Sequence, residues 1–441
     1  MNQLLRKNIS SVPYGPLHPR VSGQQHAWVK IMRICFLADS SSIHTRRIVS
    51  YYVRAKDEIM ILSTASILSD IPGTKTLYLL NGRKADSKPR LTKNRHKLPC
   101  VTALKVLVPR FIKAFANRTM RALRLVRKAA LCQEEIKRFN ADVIYCFRSF
   151  PEGLLALCCH VKPLLLRTAG PDISKLPRYP VYRQLIKRVL RTADVVVTES
   201  LAERQLLRRL CGDSLTPKVE IIGIDTALFQ PPASKEYVRH KYGVPRDAFV
   251  VITNRYLEGH YNGWMVVKAM QTVVDQCPNC RLLYVNPSNM GRTTRARAES
   301  TTRRYPQIVF VNGPIPHVEM PGILGCGDIY VSFSSFDGVP NSLLEAMGCG
   351  LVPVVADLPQ LRDWIENGRT GYIVPQGRTD ALASIIRDLY NNRQVLPGMS
   401  RDCVSRIHEA ASYERCSARI RTLLLQLRRT GDGNSIEQPS G

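Results

Sequence analysis

The 441-residue sequence predicts an α/β protein made of two parallel sheets, each covered on both faces by helices. Three observations carry this expectation. Short, almost wholly apolar runs of the kind that form buried parallel strands alternate with helix-like stretches. The alternation breaks once, at a Gly- and Pro-containing stretch between residues 223 and 232. It then restarts, as a second domain would, and at ~100–200 residues per domain the length allows two.

In chain order, residues 1–30 are polar, Pro- and Gly-interrupted and aperiodic, and read as a loose tail. Met32-Arg33-Ile34-Cys35-Phe36-Leu37-Ala38 is the first buried strand. Further strands are expected at 142–147, 163–168 and 194–198, and Ser200 with Glu203 has the capping-box spacing that opens the next helix. Together these make a first domain over 31–222. Gly223-Ile224-Asp225 and Phe229-Gln230-Pro231-Pro232 mark a linker over 223–235. The second domain, 236–402, should hold strands at 248–254, 281–286, 307–311, 328–333, 351–356 and 371–374, with a helix at 381–392. Residues 403–430 read as one long basic closing helix, and 431–441 as a polar tail.

The formal net charge of +29 is far beyond what solubility requires and points to anionic partners. Segment 83–138 is the densest source, with 17 Lys/Arg against three Asp/Glu. There Val106, Leu107, Phe111, Ile112, Met120, Leu123 and Val126 interleave with Arg110, Lys113, Arg118, Arg121, Arg124, Arg127 and Lys128, the pattern of a basic amphipathic surface helix. An anionic membrane surface, a merely solvated basic face and nucleic acid are the three readings. Aromatics at stacking spacing are missing, so nucleic acid is not expected. No apolar run reaches the ~18–20 residues of a membrane span, and residues 1–30 lack a signal-peptide core. The 13 cysteines are scattered through strands and helices as small buried hydrophobes, the usage of a reducing compartment. Cys277 and Cys280 form one CxxC without a second pair, so no metal site is expected.

The most informative stretch is Ser334-Ser335-Phe336-Asp337-Gly338-Val339-Pro340-Asn341-Ser342-Leu343-Leu344-Glu345-Ala346-Met347-Gly348-Cys349-Gly350, which follows a strand and enters a helix. Gly338 permits close backbone approach, and the N–H groups of Asn341, Ser342 and Leu343 would sit at a helix N-terminus, suited to a pyrophosphate. Asp337 before the turn and Glu345 within the helix place two carboxylates on either side of it. The structural alternative is a capping box of Ser342 and Glu345 with Asp337 as a turn residue.

The acidic-Gly-x-Pro-(x)4-Glu-Ala-Met-(x)2-Gly stretch resembles the signature of retaining glycosyltransferases of family 4, which have the GT-B fold of two Rossmann-like domains facing each other across a cleft. The resemblance extends to Asp39-Ser40-Ser41-Ser42-Ile43-His44-Thr45-Arg46-Arg47, to Gly223-Ile224-Asp225-Thr226-Ala227-Leu228-Phe229, to Arg255-Tyr256-Leu257-Glu258 with Tyr261-Asn262, and to Ser412-Tyr413-Glu414. It implies that Glu345 binds the donor ribose, Asp337 the donor-sugar hydroxyls and Arg255 the leaving pyrophosphate. Asn262, Gly338, Val339, Pro340, Asn341, Ser342 and Leu343 would complete the donor site. His44 would lie near the transferred sugar, with an ordinary role at a helix start capped by Ser42 as its alternative. Ser42, Arg148, Gly170 and Asp172 would line the acceptor side. The chain departs from the family pattern in having Asp337 for the commoner Glu, Asn262 where a phosphate-binding Lys is expected, Asn286-Pro287-Ser288 for a Gly-x-Gly, and Ala169 for a His.

The function implied is transfer of a hexose from a nucleotide-diphosphate sugar to a glycan or lipid-linked acceptor, with anomeric retention and without a metal or other cofactor. The place implied is the inner face of the plasma membrane, reached from the cytoplasm, in cell-envelope polysaccharide synthesis. The alternative is a degenerate GT-B protein, or a basic module binding anionic lipid or RNA without transferase activity.

Overall fold

The computed structural model describes residues 31–431 except 66, 81, 82, 85–118, 175, 287, 312 and 314. The expected tails and most of the basic segment 83–138 therefore lie outside the described residues. The described chain forms two compact units: residues up to Ile222 together with those from Ser417 onward, and Gly223–Cys416.

The first unit contains β1 (Arg33–Ala38), α1 (Ile43–Arg54), β2 (Glu58–Ser63), β3 (Lys75–Tyr78), α2 (Ala129–Phe139), β4 (Val143–Phe147), α3 (Glu152–Cys159), β5 (Leu164–Arg167), α4 (Pro180–Thr192), β6 (Val195–Thr198), α5 (Leu201–Cys211) and β7 (Lys218–Val219). Its sheet is parallel throughout, in the order β3-β2-β1-β4-β5-β6-β7. The apolar strands feed two cores. Leu37, Cys146 and Leu166 pack on one face, and Ile34, Tyr145 and Val197 on the other. β2 was not among the expected strands, although Ile59-Met60-Ile61-Leu62 is an apolar run. At α5 only half of the expected capping box forms. Ser200 Oγ accepts from Glu203 N at 3.1 Å, but the Glu203 carboxylate turns to Thr198 Oγ1 and Glu199 N.

The second unit contains α6 (Lys235–Lys241), β8 (Phe249–Thr253), α7 (Gly263–Gln276), β9 (Cys280–Val285), α8 (Arg292–Arg304), β10 (Ile308–Val311), β11 (Ile329–Ser332), α9 (Asn341–Gly348), β12 (Val352–Ala356), β13 (Tyr372–Val374), α10 (Thr379–Asn391) and α11 (Leu396–Ala410). Its parallel sheet runs β10-β9-β8-β11-β12-β13. Both sheets thus reverse strand order once, between β1 and β4 and between β8 and β11. In doubly wound folds ligands bind outside the strand C-termini at such a reversal.

The two units divide at Gly223, where the linker expected over 223–235 begins, and its first residues are packed into the second unit. Ile224 and Phe229 are fully buried, and Asp225 Oδ1 ties down the N–H groups of Ala227 and Leu228. Gly223 adopts φ +80°, where a Cβ would lie 2.8 Å from Ala411 O. One expectation about the chain's course needs correction: 403–430 is not one helix. α11 ends at Ala410, Ile224 N and O bond to Ala411 O and Tyr413 N, and α12 (Tyr413–Gly431) begins afresh. The strand-like bond pattern at Ile224 takes the amide and carbonyl that a continuous helix would use itself. Ile420, Leu424 and Leu427 of α12 complete a core of the first unit. Arg421 there pairs through Nε and Nη2, at 3.0 and 2.9 Å, with the wholly buried Asp57 carboxylate, which also accepts from Met32 N.

In the described part of the basic segment, residues 119–126 are helical, a turn follows at 127–128, and α2 begins at Ala129. Ala122 and Leu125 are buried while Met120 and Leu123 are each 51% exposed, so apolar side chains face both inward and outward. Arg121 is not a solvated cation: it donates to Thr64 O at 2.7 Å and pairs with Asp39.

Candidate active site

In the second unit the end of β8 leads directly into Asn254 and Arg255, and the end of β11 leads through Phe333 to Asp337 and α9. The strand reversal brings these two ends side by side. Arg255 Nη1 donates to Ser342 Oγ at 2.9 Å, and Nη2 forms a close ion pair with Asp337 Oδ2. The guanidinium stacks 4.6 Å above the Tyr261 ring, and its buried Nε–H has no acceptor among the described residues. Tyr330, fully buried in β11, donates to Asn254 Oδ1 at 2.8 Å and lies 3.0 Å from Ser342 Oγ. Burial pushes the Tyr330 hydroxyl up to about 12, so it stays neutral; with its one proton on Asn254, its oxygen accepts from the Ser342 hydroxyl and holds Ser342 beneath Arg255.

This geometry removes the capping box from the readings of Ser342 and Glu345. They do not form a capping box. Pro340 is the N-cap of α9, Ser342 Oγ faces Arg255 and Tyr330, and Glu345 Oε1 lies 2.9 Å from His317 Nε2. The expectation for three helix-start N–H groups is also trimmed, because Leu343 N donates to Pro340 O at 3.0 Å. Gly338 N turns back to Asp337 Oδ1, and Val339 joins that turn to Pro340. Asn262, which stands in for the expected Lys, caps α7 from a left-handed conformation at φ 53° and donates Nδ2 to Phe333 O at 3.1 Å. It fastens the two strand ends together and brings no charge. Arg255 is thus the cation at this corner, and Tyr261 rather than Asn262 lies against it.

In the first unit, the expected acceptor-side residues also gather at strand C-termini. Ser42 and His44 follow β1, and the His44 ring centroid is 6.5 Å from that of Phe147 at the end of β4. Ser42 is the N-cap of α1 but makes no side-chain cap bond. Arg148 follows β4 at φ 88°, a left-handed conformation that is rare for a residue with a Cβ. Gly170 opens the short helix Gly170–Ser174 after β5, and Asp172 Oδ2 accepts from Ser149 N at 3.0 Å. Beside them lies Glu152, an acid that sequence reading passed over. It is 1% exposed, accepts from Thr64 Oγ1 at 2.6 Å, and is pushed up by burial.

Residues 250–392 match the model of the family described as glycosyl transferases group 1. The chain carries a group 1 glycosyltransferase domain. The GT-B architecture implied by the family 4 resemblance is the fold found. Sucrose-phosphate synthase from Thermosynechococcus elongatus superimposes with a TM-score of 0.70 at 17% identity, over 90% of this chain and all of that one. Anabaena HepE in complex with UDP-glucose superimposes at 0.65 and 16%, with the same coverage. In sequence, the chain is 27% identical over 246 residues to the GDP-mannose-dependent α-(1-6)-phosphatidylinositol monomannoside mannosyltransferase of Mycolicibacterium smegmatis, covering 54% of this chain and 63% of that one. Matches to curated relatives span between 45% and 63% of those proteins' own lengths. The domain holds Arg255, Asn262, Asp337 and Glu345, together with His317 and Tyr330, which sequence reading missed.

Proposed function

We propose that the protein is a glycosyltransferase that moves a hexose from a nucleotide-diphosphate sugar to a polysaccharide or glycolipid precursor, retaining anomeric configuration and needing no metal. The observation that carries this reading is the Arg255 corner: a guanidinium fixed by Ser342 and Asp337, with a buried Nε–H lacking an acceptor among the described residues, next to the start of α9. Positive charge and helix-start N–H groups at one point suit a leaving diphosphate. Stabilising charge that develops in the transition state is usually the largest catalytic contribution. In this reading Asp337, across the guanidinium, takes donor-sugar hydroxyls once phosphate shares Arg255, and Glu345 takes the ribose. The solved relative that holds UDP-glucose and the mannosyltransferase that uses GDP-mannose support a nucleotide-sugar donor. His44, Ser42, Arg148, Gly170 and Asp172 form the acceptor side of this reading.

A membrane-bound acceptor is supported by the surface of the first unit. Thr119 Oγ1 lies 2.9 Å from Tyr182 Oη, so helix 119–126 lies beside the start of α4. Met120, Leu123, Tyr179 and Val181 are exposed there, among exposed Arg124, Arg127, Lys128, Arg178, Arg183 and Arg188. Apolar side chains ringed by cations suit an anionic bilayer. No described helix is long and apolar enough to cross one. The name of the Mycolicibacterium smegmatis mannosyltransferase includes a phosphatidylinositol monomannoside, which agrees with such a surface. The test is a screen of UDP-, GDP- and ADP-sugars with envelope lipid extract, read by mass spectrometry. Release of nucleoside diphosphate from one donor is expected; release from none would favour a binding module without transferase activity.

A further inference from the structure

We infer that His317 is the positioning residue of the nucleotide site, the group that sets the Glu345 carboxylate for the donor's ribose hydroxyls. The inference rests on the donor-site reading above and goes beyond it, because neither the signature stretch nor its spacing points to residue 317. His317 lies in the short 3₁₀ turn His317–Glu319, 28 residues before Glu345 and on another element. Its Nε2 is 2.9 Å from Glu345 Oε1, with side-chain exposures of 37% and 7%. With Glu345 ionised, Nε2 carries the proton and donates. A hydrogen bond to a nearly buried carboxylate is strong and directional, and it fixes the rotation of the carboxylate plane.

The imidazole is itself fixed from behind. Its ring centroid is 5.0 Å from that of Phe229, which is fully buried. Phe229 closes the Gly223–Phe229 segment, pinned by its own N–H to Asp225 O at 2.8 Å. Its carbonyl lies 2.8 Å from where a Cβ at Gly348 would stand, one helical turn beyond Glu345 on α9. The segment 223–229, the 317–319 turn and α9 therefore lock together around one carboxylate. Phe229 backs His317, His317 orients Glu345, and Gly348 lets the segment approach the helix. A merely structural histidine would stabilise α9 without affecting which nucleotide binds. A positioning histidine makes discrimination for ribose hydroxyls depend on it.

The experiment is calorimetric titration with UDP, GDP and ADP, then with the 2′-deoxy and 3′-deoxy forms of the tightest of the three. Wild type, His317→Ala, His317→Gln and Glu345→Ala are compared, with melting temperature as the folding control. A hydrogen bond to a charged group corresponds to roughly 10–100-fold in affinity. Wild type should therefore prefer the ribonucleotide over at least one deoxy form by about tenfold or more. Glu345→Ala and His317→Ala should each reduce that preference to about threefold or less. His317→Gln, which keeps an N–H donor, should recover part of it. If Glu345→Ala abolishes the preference and His317→Ala leaves it intact, His317 is structural and the inference fails. Should wild type show no preference, or bind none of the three, the ribose role of Glu345 fails and the inference with it.

Discussion

Replacing Arg255 by alanine probes the Arg255 corner. The side chain is 13% exposed, its Nη1 is 2.9 Å from Ser342 Oγ, and its plane rests 4.6 Å from the Tyr261 ring centroid. A cation this desolvated and this constrained acts on a leaving diphosphate with little screening and little reorganisation. Removing one such aimed contact typically costs about 10²–10³ in turnover, or roughly 3–4 kcal/mol. Asn262 cannot compensate, because it is neutral and committed to Phe333 O. Arg255→Lys should also lose at least about tenfold, since an ammonium cannot span Ser342 and Asp337 as a planar fork does. The fold should survive. The lost pair is partly exposed, so the melting temperature should fall by only about 2–8 °C, as 1–2 kcal/mol implies for a unit of this size. The assay is kcat and KM for the donor identified by screening, with circular dichroism as control. Turnover within about threefold of wild type at saturating donor would refute the reasoning.

Three further outcomes follow from other parts of the molecule. Arg421→Ala should destabilise the first unit by about 3–5 kcal/mol, because it leaves the buried Asp57 carboxylate without its cation; an unchanged denaturation midpoint would contradict this. Glu152 has a raised folded-state pKa, so the stability it lends is present at low pH and lost as pH rises through that value. Glu152→Gln should therefore gain melting temperature over wild type increasingly from the ordinary carboxylate range upward, and a pH-independent difference would overturn that assignment. Changing Arg124, Arg127, Lys128, Arg183 and Arg188 together to Ser should abolish salt-sensitive co-sedimentation with anionic vesicles, at about 1 kcal/mol per basic side chain. Wild type remaining in the supernatant at low salt would exclude the membrane reading.

The sheets were legible because parallel strands buried on both faces read as continuous apolar runs, as in Phe249–Thr253 and Ile329–Ser332. Strand β3 was not, because Lys75–Tyr78 is a half-exposed edge strand without a clear apolar run. The break between α11 and α12 was hidden because its cause lies in Ile224, nearly 190 residues earlier in the chain. Asp337 and Glu345 were named as candidates from one local signature, which spacing can carry, and Arg255 from a separate segment of the family resemblance. Tyr330 looked like an ordinary core residue of an apolar strand, and His317 like a loop residue beside prolines. Their roles arise from contacts with Ser342 and Glu345, and pairing between distant elements leaves no periodicity in either one. Spacing alone also left the Ser342–Glu345 capping box open, and only the side-chain directions dismissed it.

The most direct test of the central claim is proton NMR of the reaction as it runs, with the screened donor, a lipid-linked acceptor and excess EDTA. The account expects the donor's anomeric signal to give way to a product signal of the same configuration, with nucleoside diphosphate released in equal amount and the rate unaffected by chelator. An inverted product, a donor left unconsumed, or activity lost to EDTA and restored by Mg²⁺ or Mn²⁺ would contradict it.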